Sequence, residues 1–144
     1  KDVWYSTDGA NWTRATNSMF DKGRGGIALT TFDNKMWVIG GWAGGCGYSS
    51  CSDVWYSTDG SSWTQSTSNL GASSYGHSAA STSSKIWIFG GNYAGSNLSW
   101  YSSDGITWAS LDFPSGTNQI SDSNNVIYDG SIWLAGANKV WKLK

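Results

Sequence analysis

One twelve-residue pattern occurs three times in this chain of 144 residues, and no other feature restricts the fold as much. It reads Asp-Val-Trp-Tyr-Ser-Thr-Asp-Gly-Ala-Asn-Trp-Thr at 2–13, Asp-Val-Trp-Tyr-Ser-Thr-Asp-Gly-Ser-Ser-Trp-Thr at 53–64 and Leu-Ser-Trp-Tyr-Ser-Ser-Asp-Gly-Ile-Thr-Trp-Ala at 98–109. Its leading tryptophan recurs at Trp4, Trp55, Trp100 and Trp141, in steps of 51, 45 and 41 residues. A second unit interleaves with it: Lys-Met-Trp-Val-Ile-Gly-Gly at 35–41, Lys-Ile-Trp-Ile-Phe-Gly-Gly at 85–91 and Ser-Ile-Trp-Leu-Ala-Gly-Ala at 131–137. Repeats of this period mean that one supersecondary unit is stacked on copies of itself.

Each unit reads as β structure. Asp8-Gly9, Asp59-Gly60 and Asp104-Gly105 lie between short runs of β-formers, where Asp-Gly predicts a type I′ hairpin turn. Asp129-Gly130 predicts another, with Asp33-Asn34 and Ser83-Ser84 at the equivalent place. Two hairpins per repeat give four strands, A to D. Strand A is expected at 27–32, 77–82 and 125–128, and B at 36–40, 86–90 and 132–136. Strand C is expected at 3–6, 54–57, 99–102 and 140–143, and D at 12–15, 63–66 and 108–110. Composition agrees: all ten acidic residues are Asp, Leu is scarce, and 19 Gly with 11 Trp leave few good helix formers. Helical and α/β folds are thereby excluded.

Four-stranded units at 40–50-residue spacing predict the blades of a β-propeller. With a glycine pair closing strand B, a variable loop, an aromatic strand C and a Trp at strand D, the chain resembles kelch-repeat propellers. Its W-Y-S-T-D-G-x-x-W form is similar to that of extracellular bacterial and protist kelch-like proteins. The third glycine pair departs from the pattern, being Gly136-Ala137. The Ser-x-Asp-Gly hairpin is also similar to a shortened Asp-box and is read as a turn device. The expected fold is all-β, a single partial propeller of about three and a quarter blades. Residues 1-15 form a C–D hairpin, 27-66 and 77-110 full blades, and 125-144 the A–B–C part of a last blade. Closed propellers have roughly four to eight blades. Completion is therefore expected either from further blades of the same propeller or, with one C strand in surplus, from a second copy.

Little of the chemistry points to catalysis. Cys46 and Cys51 flank a Gly/Ser loop and can reach disulfide distance, which implies an oxidising, extracellular location. Two thiols with one distant His make a poor metal site, and no metal or cofactor is expected. His77, the sole histidine, opens a strand A, where kelch-like repeats often carry Gly-His; it is read as a hydrogen-bonded structural residue. The copper oxidase chemistry of some kelch propellers needs ligands that include two His, so the chain reads as a non-enzyme and an oxidase or hydrolase remnant is the weakest alternative. A net charge of −1 gives no case for nucleic acid, and no apolar run is long enough to insert in a membrane. Strand-like residues from the start leave no leader peptide in view. Asn97 and Asn11 stand in glycosylation sequons.

Ten of the 11 Trp fall on repeated positions and are expected to pack between blades; Trp42 alone falls outside. The longer B–C and D–A loops emerge together at one end, where binding residues are expected. They offer Trp42, Tyr48, Asn92 and Tyr93 from the first set and Phe20, Asp21, Lys22, Arg24, Tyr75 and Phe113 from the second. This face predicts a secreted module for protein–protein interaction or assembly, or else a lectin whose aromatic loops bind a glycan.

Overall fold

The computed structural model describes residues 1–20, 23–43, 46, 49–67, 70, 75–91, 98–112, 124–136 and 139–143. Two kinds of chain reversal build its sheets. In the first kind, β3 (Ala28–Phe32) turns into β4 (Lys35–Ile39) across Asp33 and Asn34, at φ 49° and 59°. Likewise β13 (Asn124–Tyr128) turns into β14 (Ser131–Gly136) across Asp129 and Gly130, at φ 49° and 67°. Two successive positive φ values are what a type I′ turn requires, and short Asp and Asn side chains tolerate them. Between β9 (His77–Ser81) and β10 (Ile86–Gly90), Ser83 and Ser84 turn without positive φ, closed by Thr82 N–H donating to Lys85 O at 2.8 Å.

The second kind corrects the sequence reading. The Asp-Gly pairs between β1 (Val3–Tyr5) and β2 (Thr13–Thr16), β7 (Val54–Ser57) and β8 (Thr64–Thr67), and β11 (Leu98–Ser102) and β12 (Ala109–Asp112) are not type I′ turns. Only the glycines have positive φ, at 74°, 75° and 72°. The ladders close at Tyr5↔Thr13, Tyr56↔Thr64 and Tyr101↔Ala109, so 6–12, 58–63 and 103–108 are longer loops. Trp12, Trp63 and Trp108 end these loops rather than begin strand D. In each loop the Asp carboxylate is the hub. Asp59 Oδ1 accepts the amides of Ser61 and Ser62 at 2.8 and 2.7 Å and the Ser57 hydroxyl at 3.0 Å. Ser57 Oγ in turn accepts the Gly60 amide at 2.8 Å. Asp8 and Asp104 repeat the pattern.

These bonds favour the carboxylate, holding Asp59 and Asp104 down to about 2 and Asp8 lower still. A depressed carboxylate stabilises the fold above its unfolded value of about 3.9, and that contribution is lost as pH falls through about 2. Protection of the Ser62 and Thr107 amides from hydrogen exchange should therefore fall between about pH 4 and 2. Protection unchanged across that window would refute the hub role.

The strands assemble into two four-stranded antiparallel sheets, β3-β4-β7-β8 and β9-β10-β11-β12, a three-stranded sheet β13-β14-β15 (β15 being Lys139–Leu143) and the two-stranded β1-β2. A short ladder of β5 (Trp42–Ala43) with β6 (Ser49–Ser50) sits between β4 and β7. This is the all-β blade order expected from the repeats. Inner strands of successive sheets are joined by hydrogen bonds: Ser81 Oγ donates to Thr31 O, and Asn125 Nδ2 donates to Ala79 O at 3.0 Å.

The core lies between sheets. Alternation along β4 sends Trp37 and Ile39 to one face and Met36 and Val38 to the other. Trp37 and Ile39 pack with Val54, Ile86 and Ile88, joining the two four-stranded sheets. Phe89 and Ala80 pack with Ile132 and Leu134, joining the next pair. Trp37 is 2% exposed, and its Nε1–H donates to Phe32 O at 2.9 Å. Gly105, at the tip of the following sheet's loop, rests on that indole, and a Cβ there would overlap the ring.

Candidate functional site

The loop between β4 and β7 leaves the sheet through Gly40 and Gly41. Gly41 has φ 105°, and a Cβ there would lie 2.7 Å from Ile27 Cγ2 and 2.8 Å from Gly25 O. Only glycine lets the chain pass so close to the start of β3. The close pass allows Trp42 to form a bridge with Gly25: Trp42 N–H donates to Gly25 O at 2.8 Å and Gly25 N–H to Trp42 O at 3.1 Å. On its other side Trp42 pairs with Ser50. Cys51 N–H donates to Gly41 O at 2.7 Å, and Cys51 is bonded to Cys46 with Cα atoms 5.5 Å apart. Backbone bonds and a disulfide thus hold the Trp42 backbone, while its residue remains 48% exposed.

Tyr75 approaches from the loop before β9, half-buried, and the next residue, Gly76, donates its N–H to Gly26 O at 3.2 Å. Gly25, Gly26, Trp42 and Tyr75 line a cleft of about 500 Å³. At Gly25 a Cβ would meet nothing within 4 Å, so the floor of the cleft is open.

Two residues expected on this face are committed beneath it. Arg24 grips Asp53 with both arms, Nη1 to Oδ1 at 2.5 Å and Nη2 to Oδ2 at 3.1 Å, and donates to Gly40 O at 3.2 Å. Trp55 Nε1 donates to Asp53 Oδ2 at 2.6 Å. Burial alone raises the Asp53 carboxyl, but the bonds from Arg24 and Trp55 and the guanidinium charge outweigh it and hold the group below the usual range. Phe20 is buried, meets Trp55 edge-on at 5.6 Å between centroids, and lies 3.9 Å beneath the Arg24 guanidinium. The sequence reading missed this pair, whose members stand 29 residues apart. The available signal was an Asp two residues before Trp in two repeats, in a chain with only two arginines.

His77 is buried and its Nε2–H donates to Ile39 O at 3.0 Å, tying β9 to the preceding sheet. Desolvation pushes its pKa down to about 4, although the Ile39 bond favours the proton, so the ring is neutral at pH 7. Asn11 is tied into its turn, Nδ2 donating to Asp8 Oδ2 at 2.7 Å. Asp21, Lys22, Tyr48, Asn92, Tyr93, Asn97 and Phe113 lie outside the described residues. Among the described residues no three His, Cys, Asp or Glu side chains come together as a metal site. Among the described residues there is no helix long and apolar enough to cross a membrane.

Residues 23–69, which span β3, β4, β7, β8 and the Arg24–Asp53 pair, match the Kelch motif family. That match covers one sheet of the chain, and the all-β four-stranded sheets fit a kelch-repeat propeller. No curated protein matches the chain. Kelch propellers generally act as binding modules, most often for other proteins.

Proposed function

We propose that this kelch module binds a protein partner outside the cell, with Trp42 and Tyr75 as its anchors. The observation that carries the reading is Trp42 itself, half-exposed on backbone clamped by Gly25, Ser50 and the Cys46–Cys51 disulfide. Burying a rigid aromatic at an interface costs little conformational entropy, and such residues dominate binding energies. The disulfide supports an oxidising, extracellular setting, since cytosolic proteins keep thiols reduced. Among the described residues two aromatic rings and two glycines line the cleft, which favours an apolar side chain of a protein over a ligand rich in hydroxyls.

Trp42→Ala should weaken partner binding by about 2 kcal/mol or more, roughly 30-fold, and leave the urea unfolding midpoint unchanged. A drop in the midpoint would make Trp42 a packing residue and end this reading. A lectin remains the second reading, because indole and phenol rings also offer stacking faces to sugars. Glycan-array binding that disappears in Trp42→Ala would favour it over the first.

A further inference from the structure

Asp-Gly pairs stand at 8–9, 59–60, 104–105 and 129–130. The dipeptide carries a latent reaction. The glycine amide nitrogen attacks the Asp Cγ, a C–N bond forms, and the amide proton leaves with the carboxyl hydroxyl as water. Water then adds to the succinimide ring and reopens it. Opening at the side-chain carbonyl restores aspartate; opening at the main-chain carbonyl gives isoaspartate, in which the chain runs through Cβ and Cγ. The first step needs an amide nitrogen free to reach Cγ and a carboxyl group in its protonated form.

Three of the pairs are denied both. The amides of Gly9, Gly60 and Gly105 donate to Ser6, Ser57 and Ser102 Oγ at 2.8, 2.8 and 2.7 Å. Each neighbouring carboxylate accepts two further amides and the same serine hydroxyl. These bonds keep Asp8, Asp59 and Asp104 ionised well into acid. Gly60 and Gly105 are buried as well.

The fourth pair lies in the other kind of reversal. The turn from β13 to β14 is closed by Tyr128↔Ser131, so the Gly130 amide takes no part in the ladder. Among the described residues, no side chain or amide meets the Asp129 carboxylate, and nothing accepts from Gly130 N–H. Both residues are exposed, and a Cβ at Gly130 would meet nothing within 4 Å. Exposure belongs to this turn and not only to the last sheet. Asp33 and Asn34, at the same place in a sheet packed against the next one, are exposed too. There, however, Lys35 Nζ donates to Asp33 Oδ2 at 2.5 Å, whereas Ser131 stands at the lysine position of the last repeat.

We infer that Asp129-Gly130 is a modification site, the Asp-Gly pair that the fold leaves open to isoaspartate formation while it shields the other three. The modification adds a methylene to the main chain of a two-residue turn. The Tyr128↔Ser131 pair then opens, and with it the 3.4 Å bond from Trp133 Nε1 to Tyr128 O.

The test is incubation of the folded chain for several weeks at about pH 5, above the range in which Asp59 and Asp104 take up protons. Digestion and separation of isomeric peptides, with mass-spectrometric fragmentation to place the extra main-chain methylene, give the yield at each pair. Isoaspartate at 129 should exceed that at 8, 59 or 104 by about tenfold or more. In concentrated urea, where the loops are lost, all four pairs should react at similar rates. Ser6→Ala, in an exposed loop, frees the Gly9 amide and removes a donor from Asp8, so it should raise the yield at 8 by about threefold or more and leave 59 and 104 unchanged. Comparable yields at 129 and at any of the other three in the folded chain overturn the proposal. So does a preference for 129 that persists in urea, because the local sequence and not the fold would then be its cause. An unchanged yield at 8 in Ser6→Ala also counts against it, by removing the cap as the reason for shielding.

Discussion

Trp37→Ala should lower stability by about 3–5 kcal/mol, the range for removing a large buried aromatic. The indole is 2% exposed and lies between two four-stranded sheets. Its loss removes apolar area, leaves a cavity at the seam and strips the support from beneath Gly105. It also ends the 2.9 Å bond to Phe32 O. Urea unfolding followed by far-UV circular dichroism measures the effect, and Trp12→Ala is the control. Trp12 occupies a repeated position too, but it is 60% exposed, so its replacement should change stability by no more than about 0.5 kcal/mol. Equal losses for the two would mean that the repeated tryptophans do not derive their weight from packing between sheets.

Arg24→Ala should be of similar size, about 3–5 kcal/mol, for a different reason. The Arg24 and Asp53 side chains are only 8% and 16% exposed. Removing the guanidinium leaves a largely buried carboxylate whose remaining side-chain donor among the described residues is the Trp55 indole. Arg24→Lys should recover part of the loss: it restores the charge but not the two-armed grip. The combined Arg24→Ala and Asp53→Ala change should lose less than the sum of the single changes. The deficit of Arg24→Ala should shrink in acid. Asp53 is held below the usual range in the native protein, so its stabilisation is present above about pH 4 and is lost as pH falls further. A deficit independent of pH would show that Arg24 acts through packing on Phe20 rather than through its charge.

Much of the architecture could be read from local pattern. Asp33-Asn34 and Asp129-Gly130 announced their tight turns because those residues are the ones that accept positive φ. The spacing of tryptophans and glycine pairs announced the order of the strands. The Asp-Gly loops were misread as tight turns because the dipeptide alone does not show that a serine two residues before and two amides after will organise around the carboxylate. The candidate site was legible only in part. Trp42 stood out because it broke the repeat. Arg24 and Phe20 looked like loop residues, because no local rule joins them to Asp53 and Trp55, 29 and 35 residues away.

The identical segments at 2–9 and 53–60 separate the two kinds of information. Sequence alone determined what they share: a short strand, a Trp–Asp bond and a loop closed around an aspartate, all made within a few residues. Tertiary structure alone decided that Trp55 is covered by Phe20 and Asp53 held by Arg24, while Trp4 and Asp2 face an open cavity. Short-range hydrogen bonds need only the chain's own neighbours. Burial and buried charge pairing need another surface, and its presence is a property of the assembled sheets.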